Sequence, residues 1–440
     1  MARMSWPIVF VLSGAAAPLV PRPASERHIV LRQGIPDSAS SLAASGAALS
    51  SDGRFVAFVS MNELLALDTC PGPDVYVMDR ETSTLTLETP ARPGASCHRF
   101  TGTGYPRLSG DGRYLVFESG RADVPGGPDT NSIVDVFVRD RLLRTTTRVS
   151  NGVTDGGANH NSEAPAISDD GEMVAFASNA TNLVPGPDAN GSLRDVYLLR
   201  RATNTVIRAS VGSDERQRSE GESHSATLSA DGRFIAFASS ADLGAELERR
   251  ERSVRQSAIY VRDLVNGNTS CVSCSGALGQ GRASHPHLSA DGAFVVFAWQ
   301  ANRGQHADSP RTDIVLLDRI AAETTVITKR ANASSARPRI SGNGRYVAFE
   351  SLASNLACTK RRCPVGSGDE NLLPDIYVFD RSSERFRRFS GGLDEWWVPS
   401  VGVWLDQDGS VLSFSSRQPL GSNDPTTDYD LYVQTLTSPK

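Results

Sequence analysis

One nine-residue theme recurs seven times along this 440-residue chain and limits what it can fold into more than any other feature. Its clearest copy is Ser229-Ala230-Asp231-Gly232-Arg233-Phe234-Ile235-Ala236-Phe237. The turn pairs stand at Asp52-Gly53, Asp111-Gly112, Asp170-Gly171, Asp231-Gly232, Asp291-Gly292, Asn343-Gly344 and Asp408-Gly409, with successive pairs 52 to 65 residues apart. Five residues after each glycine comes a phenylalanine: Phe58, Phe117, Phe176, Phe237, Phe297, Phe349 and Phe414. A near-constant period of this size marks a stack or ring of like units. It overrides the roughly three domains that length alone would suggest.

Each unit reads as four short strands. An apolar run ends in Leu228-Ser229, the Asp-Gly pair turns the chain where glycine can take positive φ, and a second apolar run follows. Phe234 to Phe237 lack polar alternation, as expected of a strand covered on both faces. A third strand has the form Asp-Val-Tyr-Val-x-Asp, at Asp74–Asp79 for example, and a fourth is rich in Thr, Val and Arg, as at 145–149. Such four-stranded antiparallel sheets must bury both faces against their neighbours, which predicts an all-β, seven-bladed propeller.

The chain ends fit a closed ring. Residues 1–24 lie outside the repeat and 25–440 form the single propeller. The last unit stops after its third strand, Asp430 to Gln434, while Arg27 to Arg32 resembles a lone fourth strand. Adding the N-terminal strand to the last blade leaves no open sheet edge. The leader itself combines Arg3, the apolar run Trp6 to Leu12 and the small residues Gly14 to Ala17. That pattern reads as an export signal, too short for a membrane span, and the same residues would also suit a disordered tail.

The forms Pro165 to Ser178 (Pro-x-Ile-Ser-x-Asp-Gly-x-x-Val-Ala-Phe-x-Ser) and Asp195-Val196-Tyr197 resemble the TolB-like β-propeller repeat of bacterial exported proteins. The resemblance spans roughly residues 26 to 436 and implies an exported propeller, periplasmic or extracellular. Propellers of this kind serve as binding scaffolds, as gating domains of peptidases and occasionally as enzymes, so fold alone does not choose among them.

Charge and motifs narrow the choice. With 45 basic and 50 acidic side chains the formal net charge is −5, which gives no bulk reason to expect a nucleic-acid partner. There is no Gly-x-Ser-x-Gly elbow, no Walker or dinucleotide loop, and no hydrolase domain beside the repeats. The charged run Glu246 to Arg252 reads as a solvated loop, and Trp396-Trp397 as rings packed between blades or exposed for binding.

Three constellations remain. The six cysteines pair by proximity as Cys70 with Cys97, Cys271 with Cys274 and Cys358 with Cys363, and an even count in an exported chain favours disulfides. Cys271-x-x-Cys274 would also suit redox or zinc chemistry, without a second CxxC to complete it. Several loops carry Asp-x-Asn followed by Asp: Asp129, Asn131 and Asp135; Asp188, Asn190 and Asp195; Asp369, Asn371 and Asp375. Alternating hard oxygens of this kind suit calcium, with 188–195 the best candidate, or else turns and strand caps. No other cofactor is indicated.

The third constellation precedes the Leu/Ile-Ser of the innermost strands: Tyr105 and Arg107, His285 and His287, Arg337 and Arg339, and Trp404. Together they would line a cationic, aromatic channel mouth that accepts an acidic peptide or sugar; the other reading packs them between blades. His285-Pro286-His287 also faintly resembles oligogalacturonate lyases, propellers of this repeat type whose channel metal is held by three histidines and a glutamine. Only the His-x-His pair matches, and Gln280 lies five residues before it.

The reading that results is a monomeric, non-catalytic exported propeller. It binds a protein or glycan through its long-loop face and channel mouth. A metal-dependent carbohydrate lyase or hydrolase in the central channel is the alternative.

Overall fold

A computed structural model describes residues 28–31 and most of the chain from 47 to 436. Segments 1–27, 32–46, 92–102, 245–255, 303–310, 358–372, 391–399, 417–429 and 437–440 lie outside it, with 62, 70–71, 122, 125–130, 132, 154–155 and 275–277. The described residues form seven four-stranded antiparallel sheets, each ordered from an innermost to an outermost strand. Blade 2 is representative, with strands Thr103–Leu108, Tyr114–Ser119, Asp135–Asp140 and Thr145–Arg148. The innermost strands of blades 3 to 7 are Ser162–Ile167, Ser223–Leu228, Gly281–Leu288, Ser335–Ile340 and Ser400–Leu405; blade 1 has the short pair Ala48–Leu49. Blade 7 takes its outermost strand from the other end of the chain: His28–Leu31 pairs antiparallel with the strand Asp430–Thr435, Val30 opposite Tyr432.

Repeated side chains hold the blades together for repeated reasons. The recurring phenylalanine is buried in every blade, and in blade 3 Phe176 stacks on Tyr197 with ring centroids 5.9 Å apart. Offset stacking of such rings adds to the area they bury. At the turn, Ser229 Oγ donates to Asp231 Oδ1 at 2.6 Å and accepts the N–H of Phe234 at 2.9 Å, so one hydroxyl ties both ends of the hairpin. The same pair of bonds recurs in blades 1 to 6. In blade 7 Asp406 takes the serine's place and accepts the N–H of Val411 at 3.0 Å.

A second closure lies below, at the end of the Asp-Gly turns. The residue after the turn serine in blades 1 to 5, Asn343 in blade 6 and Gln407 in blade 7 each donate a backbone N–H to the next blade. Ser51 N–H donates to Gly110 O, Gly110 to Asp169, Asp169 to Ala230, Ala230 to Ala290 and Ala290 to Gly342, at 2.8 to 3.0 Å. Asn343 N–H then donates to Gln407 O at 2.8 Å, and Gln407 N–H returns to Ser51 O at 2.9 Å. Peptide groups thus link all seven blades in a circle, satisfying backbone groups that a wider opening would leave to water. The circle narrows the lower mouth of the channel.

Two of its members must be glycine because neighbours cross them. A Cβ on Gly110 would lie 2.9 Å from Asp169 Cβ, and one on Gly342 would lie 2.4 Å from Gln407 Cγ. Asp169 crosses Gly110 to accept a hydrogen bond from Ser51 Oγ at 2.8 Å.

Candidate functional site

The innermost strands place side chains in layers along the channel. In blades 2 to 7 each carries an irregularity two residues before the Leu/Ile-1 position, where Tyr105, Ala164, Ser225, His285, Arg337 and Gly402 all take positive φ, between 49° and 73°. The ladder register slips there, as between Gly104 and Arg107. A bulge leaves its extra residue unpaired and bends the strand. Non-glycine residues in this region are strained, and repetition in five blades makes it a property of the fold. The slip puts Tyr105, His285 and Arg337 in an upper layer and Arg107, His287, Arg339 and Trp404 in a lower one. Strict alternation would have stacked them on one face.

The lower layer is a tight cluster. The guanidinium carbons of Arg107 and Arg339 lie 4.5 and 4.7 Å from the ring centroid of Trp404, which also meets His287 edge-on at 5.4 Å. Trp404 therefore brings together side chains from blades 2, 5 and 6. Ala166 and Thr227 hold the same register in blades 3 and 4 and line the same cavity with small side chains. All seven sequence-predicted residues, Tyr105, Arg107, His285, His287, Arg337, Arg339 and Trp404, line one cavity of about 490 Å³ that continues down to Asp169 and Gln407.

The electrostatics of this layer are lopsided. Among the described residues neither Arg107 nor Arg339 forms an ion pair; each donates to the carbonyl of the proline before it, Pro106 at 2.7 Å and Pro338 at 3.3 Å. Arg339 Nε is buried with no hydrogen-bond partner. Burial pulls Arg107 down to about 10, and burial together with Arg107 pulls Arg339 down to about 9, so both stay charged at neutral pH. Burial and the adjacent arginines also drive His285 down to about 4 and His287 well below its ordinary range, leaving both neutral. Buried charge without a partner is costly, and an arriving anion would relieve it.

Two carboxylates in the wall were not singled out by the sequence reading. Glu118 accepts the N–H of Ala164 at 2.6 Å; Glu350 accepts the N–H of Gly402 at 2.9 Å and a 2.8 Å bond from Arg337. Each glutamate thus satisfies the bulge of the following blade. Their signal was present: the position after the recurring phenylalanine is Val59, Ala177, Ala238, Ala298 or Ser415 elsewhere. Burial pushes Glu118 up to about 7.

The channel histidines do not fit a metal ion well. His287 Nδ1 accepts the N–H of Ile340 at 3.3 Å, and Arg339 presses on both rings electrostatically, joined by Arg337 at His285 and by Arg107 at His287. No group of three or more His, Cys, Asp or Glu placed to hold a metal occurs among the described residues.

The predicted calcium ligands do converge. Asp188 Oδ1, Asn190 Oδ1 and Asp195 Oδ2 each lie 2.7 Å from Gln217 Nε2, while Arg208 bonds Asp188 at 3.0 Å and Asp195 at 3.1 Å. At that centre the neutral Gln217 amide donates and Arg208 supplies the positive charge. In blade 2, Asp135 accepts from Ser150 and pairs with Arg148, while Asn131 donates to Ala158 O. Asp375 repeats the aspartate's pattern with Ser390 and Arg388. Asp129, Asp369 and Asn371 lie outside the described residues, as do Cys70, Cys97, Cys358, Cys363, Trp396, Trp397, the run 246–252 and the leader. Cys271 and Cys274 come together with Cα atoms 5.5 Å apart, a spacing that suits a disulfide.

No protein-family model matches the chain, and no curated protein matches it in sequence. Solved structures do. Oligogalacturonate lyase from Vibrio parahaemolyticus is 8% identical, with 90% of each chain covered and a TM-score of 0.54. An oligogalacturonate lyase in complex with manganese is 12% identical over 90% of each chain, with a TM-score of 0.53. TolB from Acinetobacter baumannii is 16% identical over 78% of this chain and 65% of its own, with a TM-score of 0.43, so the chain spans under two thirds of that protein. These are likenesses of fold alone.

Proposed function

We propose that this protein is a binding propeller, without chemistry of its own, that captures an anionic group of an acidic peptide or glycan in its channel. The observation that carries this reading is the pair Arg107 and Arg339 against Trp404, two guanidiniums inside the fold with no ion pair among the described residues. A carboxylate there would gain charge-assisted hydrogen bonds, and the orphaned Nε of Arg339 would gain a partner. The ligand enters from above, since the lower mouth is narrowed by the peptide circle.

Export through the leader and a monomeric state accompany this reading, and a Cys271–Cys274 bridge suits an oxidising compartment. No helix among the described residues is long and apolar enough to cross a membrane. The likeness to oligogalacturonate lyases nominates acidic sugars as probes. Calorimetric titration with oligogalacturonate and with oligoglutamate, each repeated on Arg107→Gln/Arg339→Gln, tests the proposal. Saturable binding lost in the double variant supports it. Turnover of oligogalacturonate that requires added manganese would replace it with the lyase reading.

A further inference from the structure

The cavity has a second uncompensated charge. Asp169 lines its lower end, and among the described residues its carboxylate has no cationic partner: its side chain accepts only from Ser51 Oγ. Burial raises its pKa, and the charges that act on it are the carboxylates of Asp170 and Asp111, which push the same way. One continuous cavity therefore holds two guanidiniums without an ion pair at mid-depth and, at its lower end, the Asp169 carboxylate; Glu118 and Asp406, the other lining carboxylates without an ion pair among the described residues, accept backbone N–H groups that Asp169 lacks. Asp169 follows Ala166 of the arginine layer by three residues, the strand giving way to the turn after Ile167, so the two are at most about 10 Å apart along the chain.

An anion alone would neutralise only the upper charges and would still face Asp169. A cation alone would satisfy Asp169 and leave the two guanidiniums without a counter-charge. We propose that the channel takes a small zwitterion, ammonium end down at Asp169 and carboxylate end up between Arg107 and Arg339, the simplest molecule of that span being a free tripeptide. An extended tripeptide covers about 10 Å between its charged ends. The small side chains of Ala164, Ala166, Ser225 and Thr227 leave its path open. The peptide circle and the Asp169–Ser51 bond make the floor, so the ligand enters ammonium end first and stops there.

This inference rests on the anion-binding reading above, and three probes separate the two: triglycine, N-acetyl-triglycine and triglycinamide, titrated calorimetrically into the full-length protein. Triglycine is expected to bind at least tenfold more tightly than either blocked form. Asp169→Asn, which keeps an acceptor for Ser51, should lower triglycine to the level of the acetylated peptide and leave the acetylated peptide unchanged. Equal binding of triglycine and N-acetyl-triglycine, both lost in Arg107→Gln/Arg339→Gln, would overturn the zwitterion and leave the anion site standing. Binding of triglycinamide as tight as that of triglycine, or no binding of any of the three or of an acidic oligomer, would overturn both.

Discussion

Glu118 in blade 2 accepts the backbone N–H of Ala164 in blade 3 at 2.6 Å, so a carboxylate from one blade completes the strained bulge of the next. Its surroundings are Arg107, Glu163 and Tyr105 on the neighbouring innermost strands, and burial outweighs the arginine's pull. The carboxyl is raised to about 7 from 4.5. A raised folded-state value means the stabilisation is fully present below the unfolded pKa and is lost as pH rises through about 7. Glu118→Gln, which keeps an acceptor for Ala164, should therefore be more stable than the parent at pH 8. The gain should be about 2–3 kcal/mol, shrinking to nothing by about pH 4. Urea midpoints at the two pH values check this; a pH-independent difference would sink it.

Trp404 packs against two like charges. Trp404→Ala removes the ring and leaves Arg107 and Arg339 facing each other across a void, so stability should fall by about 3 kcal/mol. Part of that loss should return in moderate sulfate, which bridges guanidiniums, and less of it in chloride at equal ionic strength. Identical rescue by the two salts would show that the arginines do not share an anion site.

Gly342 is crossed by Gln407. Adding one methyl at Gly342→Ala forces the Gln407 Cγ, 2.4 Å from the new atom, out of place and strains the backbone circle between blades 6 and 7. A loss of about 1–3 kcal/mol is expected. The double variant Gly342→Ala/Gln407→Ala should recover only part of it, because Gln407 Cα and O would still lie 3.0 Å from the added carbon. Thermal melting of the single and double variants measures both.

At the Asp188 centre, Gln217 and Arg208 already satisfy the oxygens. Asp188→Ala should lower the melting temperature by several degrees, the loss of a partly buried charged network. The drop should be the same in calcium and in chelator. A parent protein whose melting temperature rises with calcium would return these residues to the role of ligands.

What the amino-acid order determined is what repeats. Asp-Gly turns, the phenylalanine five residues on and the Asp-Val-Tyr-Val strand act locally or against an adjacent blade, so their spacing already implied seven four-stranded units and a last blade lacking its outer strand. The channel is different in kind. Trp404 meets Arg107 and Arg339 because blades 7, 2 and 6 face a common axis, and distances across that axis depend on how far the ring closes. The positive-φ bulge shifts which residues share a layer, a step that strict alternation does not contain. Asp169 became a floor only when the peptide circle brought Ser51 beneath it, 118 positions away in the chain. Side-chain types were legible in order along the chain; which charges remain unpaired was decided by closure, because pairing depends on distance in space.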